Sequence, residues 1–140
     1  MVKKFIFTFI FIVLFTTPAS SQESTKIEIF HINEQKVVMT IESTPKIEKE
    51  ITNYLNNITG IYPKFNPIPR EGYMIKVPLE TPFALEKNCI TTFVEVVIVV
   101  FPKEETPFLI IFDSKDSLLC LNFKGNVNKL LKKLDFQIPT

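Results

Sequence analysis

Residues 93–101 read Phe-Val-Glu-Val-Val-Ile-Val-Val-Phe, with eight apolar positions in nine, five of them valine, and Pro102 closes the run. A helix needs roughly 20 apolar residues to span a bilayer, so this stretch is too short for that. β-Branched and aromatic enrichment ahead of a proline predicts a strand. Because neither face is polar, the pattern predicts a central strand covered on both sides, with the rest of the domain built around it.

Upstream, residues 26–32 alternate imperfectly, with Ile27 and Ile29 on one side and Glu28 on the other. Residues 36–42 alternate more cleanly, setting Val37, Met39 and Ile41 against Lys36, Thr40 and Glu42. The polar break Asn33-Glu34-Gln35 between them predicts a hairpin with one wet face. A helix with readable ends follows. Thr44 is its cap, Pro45 suits a first turn that needs no amide, and Gly60 is the expected stop. Ile47, Ile51, Leu55 and Ile58 recur at helical spacing beside Tyr54, while Lys46, Lys49 and Glu50 fall outside that stripe.

Residues 61–70 interleave Pro63, Pro67 and Pro69 with Tyr62 and Phe65, which predicts an extended or turning connection. Residues 72–77 predict a strand with Tyr73, Ile75 and Val77 inward. Pro78 and Pro82 then predict a loop to Asn88, holding a short helical turn at 83–87. After the central strand, Pro102 to Pro107 form a rigid polar turn and 108–112 a second interior strand. Asp113-Ser114-Lys115-Asp116 supplies turn residues, and 118–123 is a strand of mixed faces. Val127, Leu130, Leu131 and Leu134 mark a last helix capped by Asn126, with Lys129, Lys132 and Lys133 outside its stripe.

The expected order is β-β-α-β-β-β-β-α, an α+β domain with a mostly antiparallel sheet of about six strands and two helices. Short links between the last three strands predict an antiparallel meander, since a parallel return needs a longer crossover.

The first residues carry a different signal. Lys3 and Lys4 precede an apolar run of 11 residues from Phe5 to Phe15, and Ala19-Ser20-Ser21 offers small residues where a signal peptidase cuts. Residues 1–21 are therefore expected to be a signal peptide and 22–140 a single domain, secreted or held in the cell envelope. No stable membrane insertion is expected after cleavage. Losing Lys3 and Lys4 takes the 16 basic residues to 14 against 15 acidic, a mature charge near −1, and Arg70 is the lone arginine. A phosphate-gripping face is normally rich in Arg and Lys, so nucleic acid is not an expected partner.

Cys89 and Cys120 remain after cleavage. An even count in an exported chain permits one disulfide between them, and two small buried hydrophobes explain the same residues equally well. No cofactor or metal is implied, because the chain has no P-loop, HExxH or GxSxG pattern and its one histidine, His31, reads as a strand residue near a sheet end. Asp113, Ser114, Asp116 and Ser117 present oxygens but lack the further carboxylates and the glycine of a calcium loop, so a hairpin turn is expected. Lys124, Lys129, Lys132 and Lys133 read as a solvated face over a leucine stripe rather than a membrane contact. Asn57-Ile58-Thr59 fits a glycosylation sequon at or near the end of the first helix.

Glu95 is the weak catalytic candidate, since a carboxylate inside an apolar strand could act as acid or base; placement at the sheet rim beside Lys76 is the plainer expectation. The composition and motifs together predict a small exported domain that binds a protein, peptide or envelope component without turning it over. Two other readings stay open: a low-motif enzyme using Glu95 with a lysine or Arg70, and an anchored accessory subunit if the N-terminal run is retained. For a binding domain, the contact surface is expected on 61–70, through Tyr62, Phe65 and Arg70. Prolines restrict that segment before a partner arrives, and these residue types are common interface anchors. The competing expectation packs both rings over the end of the first helix.

Mass spectrometry of the exported protein is expected to find a chain beginning at about Gln22. Recovery of a full-length, membrane-embedded chain would refute the cleavage.

Overall fold

The computed structural model describes residues 25–62, 68–87 and 89–139. The expected signal peptide and Phe65 lie outside these residues.

Strands β1 (Lys26–His31) and β2 (Lys36–Glu42) form the expected hairpin. Helix α1 (Pro45–Asn56) begins where the sequence places it: Thr44 Oγ1 accepts the Ile47 amide at 3.3 Å, and Pro45 opens the first turn. It ends earlier than expected. Asn57 is the C-cap, and Gly60 lies inside a short strand, β3 (Ile58–Ile61), rather than stopping the helix. Then come β4 (Gly72–Lys87), β5 (Ile90–Pro102), β6 (Phe108–Phe112), β7 (Leu118–Phe123) and α2 (Val127–Lys133). Asn126 caps α2 by accepting the Asn128 amide at 3.0 Å.

The seven strands make one antiparallel sheet in the order β2-β1-β4-β5-β6-β7-β3, with β5 in the middle. The α+β class and the antiparallel meander of the last three strands, β5–β7, are as expected; β4 extends that meander through the β4–β5 hairpin, and β3 is the added strand. The chain enters α1 from one edge strand, β2, and leaves it into the other, β3.

The region after Pro78 is a second correction. It is neither a loop nor a helical turn: Phe83 to Lys87 pair with β5 down to Lys87↔Ile90. Both prolines fall at or within the break in the ladder, where the register steps from Pro78↔Val96 to Phe83↔Val94. Missing amides at a bulge remove few ladder bonds, so the strand survives them. At its other end, Gly72 has φ +128°, and a Cβ there would stand 2.1 Å from the Phe101 carbonyl oxygen. Only glycine fits that approach.

One face of the sheet packs against both helices. Ile29, Ile75, Val97, Val99, Leu109 and Leu121 meet Ile47, Ile51, Tyr54 and Leu55 of α1, with Leu130 of α2 and Leu134 just past its end. Leu131, read as part of the stripe, is only partly buried. Glu50, read as outside its stripe, is 8% exposed and pairs with Lys133 at 2.8 Å, tying the two helices together. Beside it the Tyr54 hydroxyl donates to the Asn126 carbonyl at 2.9 Å. Gly125 lies flat against that ring, where a Cβ would come within 2.6 Å. Among the described residues no helix is long and apolar enough to cross a membrane.

Leu130→Ala should cost roughly 2–5 kcal/mol in a denaturant melt, as large-to-small core changes do. Lys132→Ala, on the exposed side of α2, should cost less than about 0.5 kcal/mol; equal losses would mean that the wrong face has been taken as buried. Burial, and then the charge of Glu50, hold the Tyr54 phenol above its ordinary value of 10.0. The folded state therefore keeps this proton after the unfolded chain has lost it. Its stabilising effect is whole below about pH 10 and falls as pH rises above that. The stability gap between the native protein and Tyr54→Phe should stay constant up to about pH 9 and shrink as pH rises from about 10 to about 11. An unchanged gap would show that Tyr54 does not titrate with unfolding.

Candidate functional site

The register maps the sheet's other face, the one without helices. One row across it runs Val37, Phe30, Met74, Val100 and Phe108. The next runs Thr40, Glu28, Lys76, Ile98, Ile110 and Cys120. Phe112 and Leu118 stand opposite each other at the far end. An antiparallel sheet with one solvated face usually alternates apolar-in with polar-out. Here the outward rows are largely apolar, and the facing charges Glu28 and Lys76 interrupt only one of them.

Part of this face is closed. Val100, Phe108 and Ile110 are buried beneath a cluster that includes Tyr62, Met74, Ile98 and Cys120. Tyr62 leaves β3 with its amide donating to the Cys120 carbonyl at 2.8 Å and stacks on Phe108, ring centroids 4.0 Å apart and 15° from parallel. Its hydroxyl donates to Glu105 at 2.5 Å. Tyr62 is thus half-buried on the helix-free face, not over the end of α1. Of the three residues expected as a binding surface, Tyr62 is a packing residue with an exposed flank, Arg70 is exposed, and Phe65 lies outside the described residues.

The remainder of the face is open. Val37, Phe112 and Leu118 each expose more than two-fifths of their surface, and Phe93 exposes 69%. Phe93 stands on the part of β5 that runs past β6. Because β5 covers Ile90–Pro102 and β6 only Phe108–Phe112, the distal β4–β5 ribbon projects beyond its neighbour. Leu85 and Val94 turn into the core, and Phe93 turns out. The central strand is therefore covered on both sides only in its second half, from about Val97 on.

Glu95 is exposed at this rim. It lines one shallow groove with Lys76 and another of ≈ 380 Å³ with Phe93, Phe112, Asp113 and Asp116. Asp113 makes the hairpin turn expected of it, its Oδ1 accepting the amides of Lys115 at 2.8 Å and Ser117 at 2.9 Å. His31 sits at the end of β1, stacked on Tyr73 at 4.6 Å and 3.5 Å from Glu34. Among the described residues no three His, Cys, Asp or Glu side chains are grouped to hold a metal.

Both cysteines are free, which corrects the disulfide. Cys120 stands level with Ile98 through Ile110, whereas Cys89 lies beyond Ile90 at the ribbon's tip. At about 3.3 Å per strand residue the two levels are roughly 25 Å apart, while a disulfide needs Cα atoms within about 7 Å. Cys120 follows the other expectation, a partly buried apolar thiol whose proton burial holds more tightly. Cys89 is exposed, with φ 64° in the tight turn.

Sequence reasoning missed Phe93, Phe112 and Leu118 as surface residues. Continuous apolar runs hide which side faces water, and only the unequal lengths of β5 and β6 uncover Phe93. No family model, no curated protein and no solved structure matches the chain.

Proposed function

We propose that this is a small exported binding domain that engages a protein, peptide or envelope component through the helix-free face of its sheet. The supporting observation is the row pattern itself. Val37, Phe112 and Leu118 leave apolar surface in water on a face that a solitary domain would normally make polar. Tyr62 on Phe108 gives that face a rigid shoulder, and Arg70 supplies a charge at the end of the neighbouring connection. The exposed setting of Glu95, in open grooves rather than an enclosed pocket, favours binding over acid-base chemistry.

The test removes apolar surface without touching the core. Val37→Ser with Leu118→Ser should leave the melting temperature within about 2 °C, because both side chains are largely exposed. The variant should also lose a partner that the native protein retains after cross-linking in the envelope fraction. Equal recovery of that partner by both proteins would refute this face as the contact surface.

A further inference from the structure

Three of the sheet's outer edges carry features that stop another strand from adding. β2 has an extra residue at the Ile29/Phe30 step and ends in Lys36 and Glu42. β3 is four residues long and irregular between Ile58 and Gly60. The distal half of β4 contains the Pro78/Phe83 break, with Pro82 inside it. Bulges, short length, prolines and terminal charges all discourage edge pairing.

The outer edge of β5 from Thr91 to Val94 is regular and free of proline, glycine and charge; the ladder break reaches β5 only at Glu95, which has no partner on β4. β6 pairs with β5 only from Val97 to Val100, and among the described residues no strand continues that line. The exposed segment reads Thr-Thr-Phe-Val-Glu-Val, with strand-forming residues throughout and no Pro, Gly or Lys. Alongside lies the ≈ 380 Å³ groove, walled by Phe93 and Phe112 and carrying Glu95, Asp113 and Asp116 with no basic side chain in its lining.

We infer that this edge takes an extended basic peptide segment, which adds to β5 as a strand in line with β6. The inference rests on the binding-domain reading and names the chemistry of the ligand. A strand in that position runs antiparallel to β5 and abuts the β6–β7 turn, where Asp113 and Asp116 stand. Main-chain hydrogen bonds hold it, and side chains facing the groove set its specificity. Lysine or arginine there meets Glu95 and the two aspartates, and the exposed Phe93 ring accepts a cation over its face. A second copy of this chain is the poorer occupant. Pairing the two Thr91 to Val96 edges brings two copies of Glu95, Asp113 and Asp116 together, and facing like charges oppose association.

The probe is a labelled peptide of about ten residues alternating lysine and valine, followed by fluorescence anisotropy at about 0.15 M salt on the exported protein. Two comparators go with it: the same peptide with glutamate for lysine, and the lysine peptide N-methylated along one edge. The lysine peptide should bind at least about tenfold more tightly than either. Glu95→Gln with Asp116→Asn should weaken it by about tenfold or more at an unchanged melting temperature, asparagine tolerating the left-handed backbone at position 116. Amide exchange should slow across 91–96. Protection at Ile98 and Leu118 instead would overturn the edge assignment and leave the sheet-face reading standing. Equal affinity for the lysine and glutamate peptides, indifference to N-methylation, or no binding would overturn the inference outright. The Val37 and Leu118 variant then decides the broader reading by itself.

Discussion

The pairing of β4 with β5 is the constraint on which the rest of this domain depends. It runs from Gly72↔Pro102 to Lys87↔Ile90, interrupted once, and its tight turn fixes the register of both strands. β1 is laid on β4, and β6 on β5, so each further strand inherits its register from this one hairpin. Gly72 shows how closely the ladder is drawn at its open end, because no side chain fits beside the Phe101 carbonyl. The same hairpin determines where apolar surface stays exposed. It is much longer than β6, and its overhang creates the uncovered edge and sets Phe93 in solvent.

The helices answer a different requirement. The α1 stripe covers one face, but α1 and α2 must also be held to each other, and polar groups do this. Glu50 reaches Lys133, and Tyr54 reaches the backbone at Asn126 with Gly125 under its ring. A half-buried ion pair adds little stability on its own, since desolvation offsets much of the attraction. Its contribution here is to select one helix-helix register among several that the apolar contacts would accept.

Much of this architecture was legible in the chain. Thr44 with Pro45, and Asn126, mark helix starts by local chemistry. In 36–42 the strand was legible but its faces were not, because the extra residue at the Ile29/Phe30 step sends Val37 to the helix-free face and Met39 to the other. Failures occurred where a long-range partner overrides a local signal. Pro78 and Pro82 read as the end of a strand because nothing local says that Val94 to Val96 lie opposite and absorb the break. Ile58 to Ile61 read as helix end and connection because four residues carry little pattern until β7 pairs with them. Glu50 read as a surface residue because Lys133 is far away in sequence. The candidate site was the least legible part. The segment 61–70 drew attention through its aromatics and prolines, yet Tyr62 packs on Phe108. The open part of the helix-free face carries Val37, Phe112, Leu118 and Phe93, which composition alone assigns to a core, while within 61–70 Ile61 and Ile68 are exposed as well.

The path of α1 from one edge of the sheet to the other also bears on how the chain assembles. Synthesis delivers β1, β2, α1 and β3 first, but β1 needs β4 and β3 needs β7 before either has a sheet to join. The β4–β7 meander is local and can form within itself, whereas the N-terminal half must wait and then clamp it from both sides. The ends of the sheet are thus its last parts to close. Until then the apolar stripe of α1 has only the β1 residues Ile27 and Ile29 to cover, and most of its partners arrive with the strands made later.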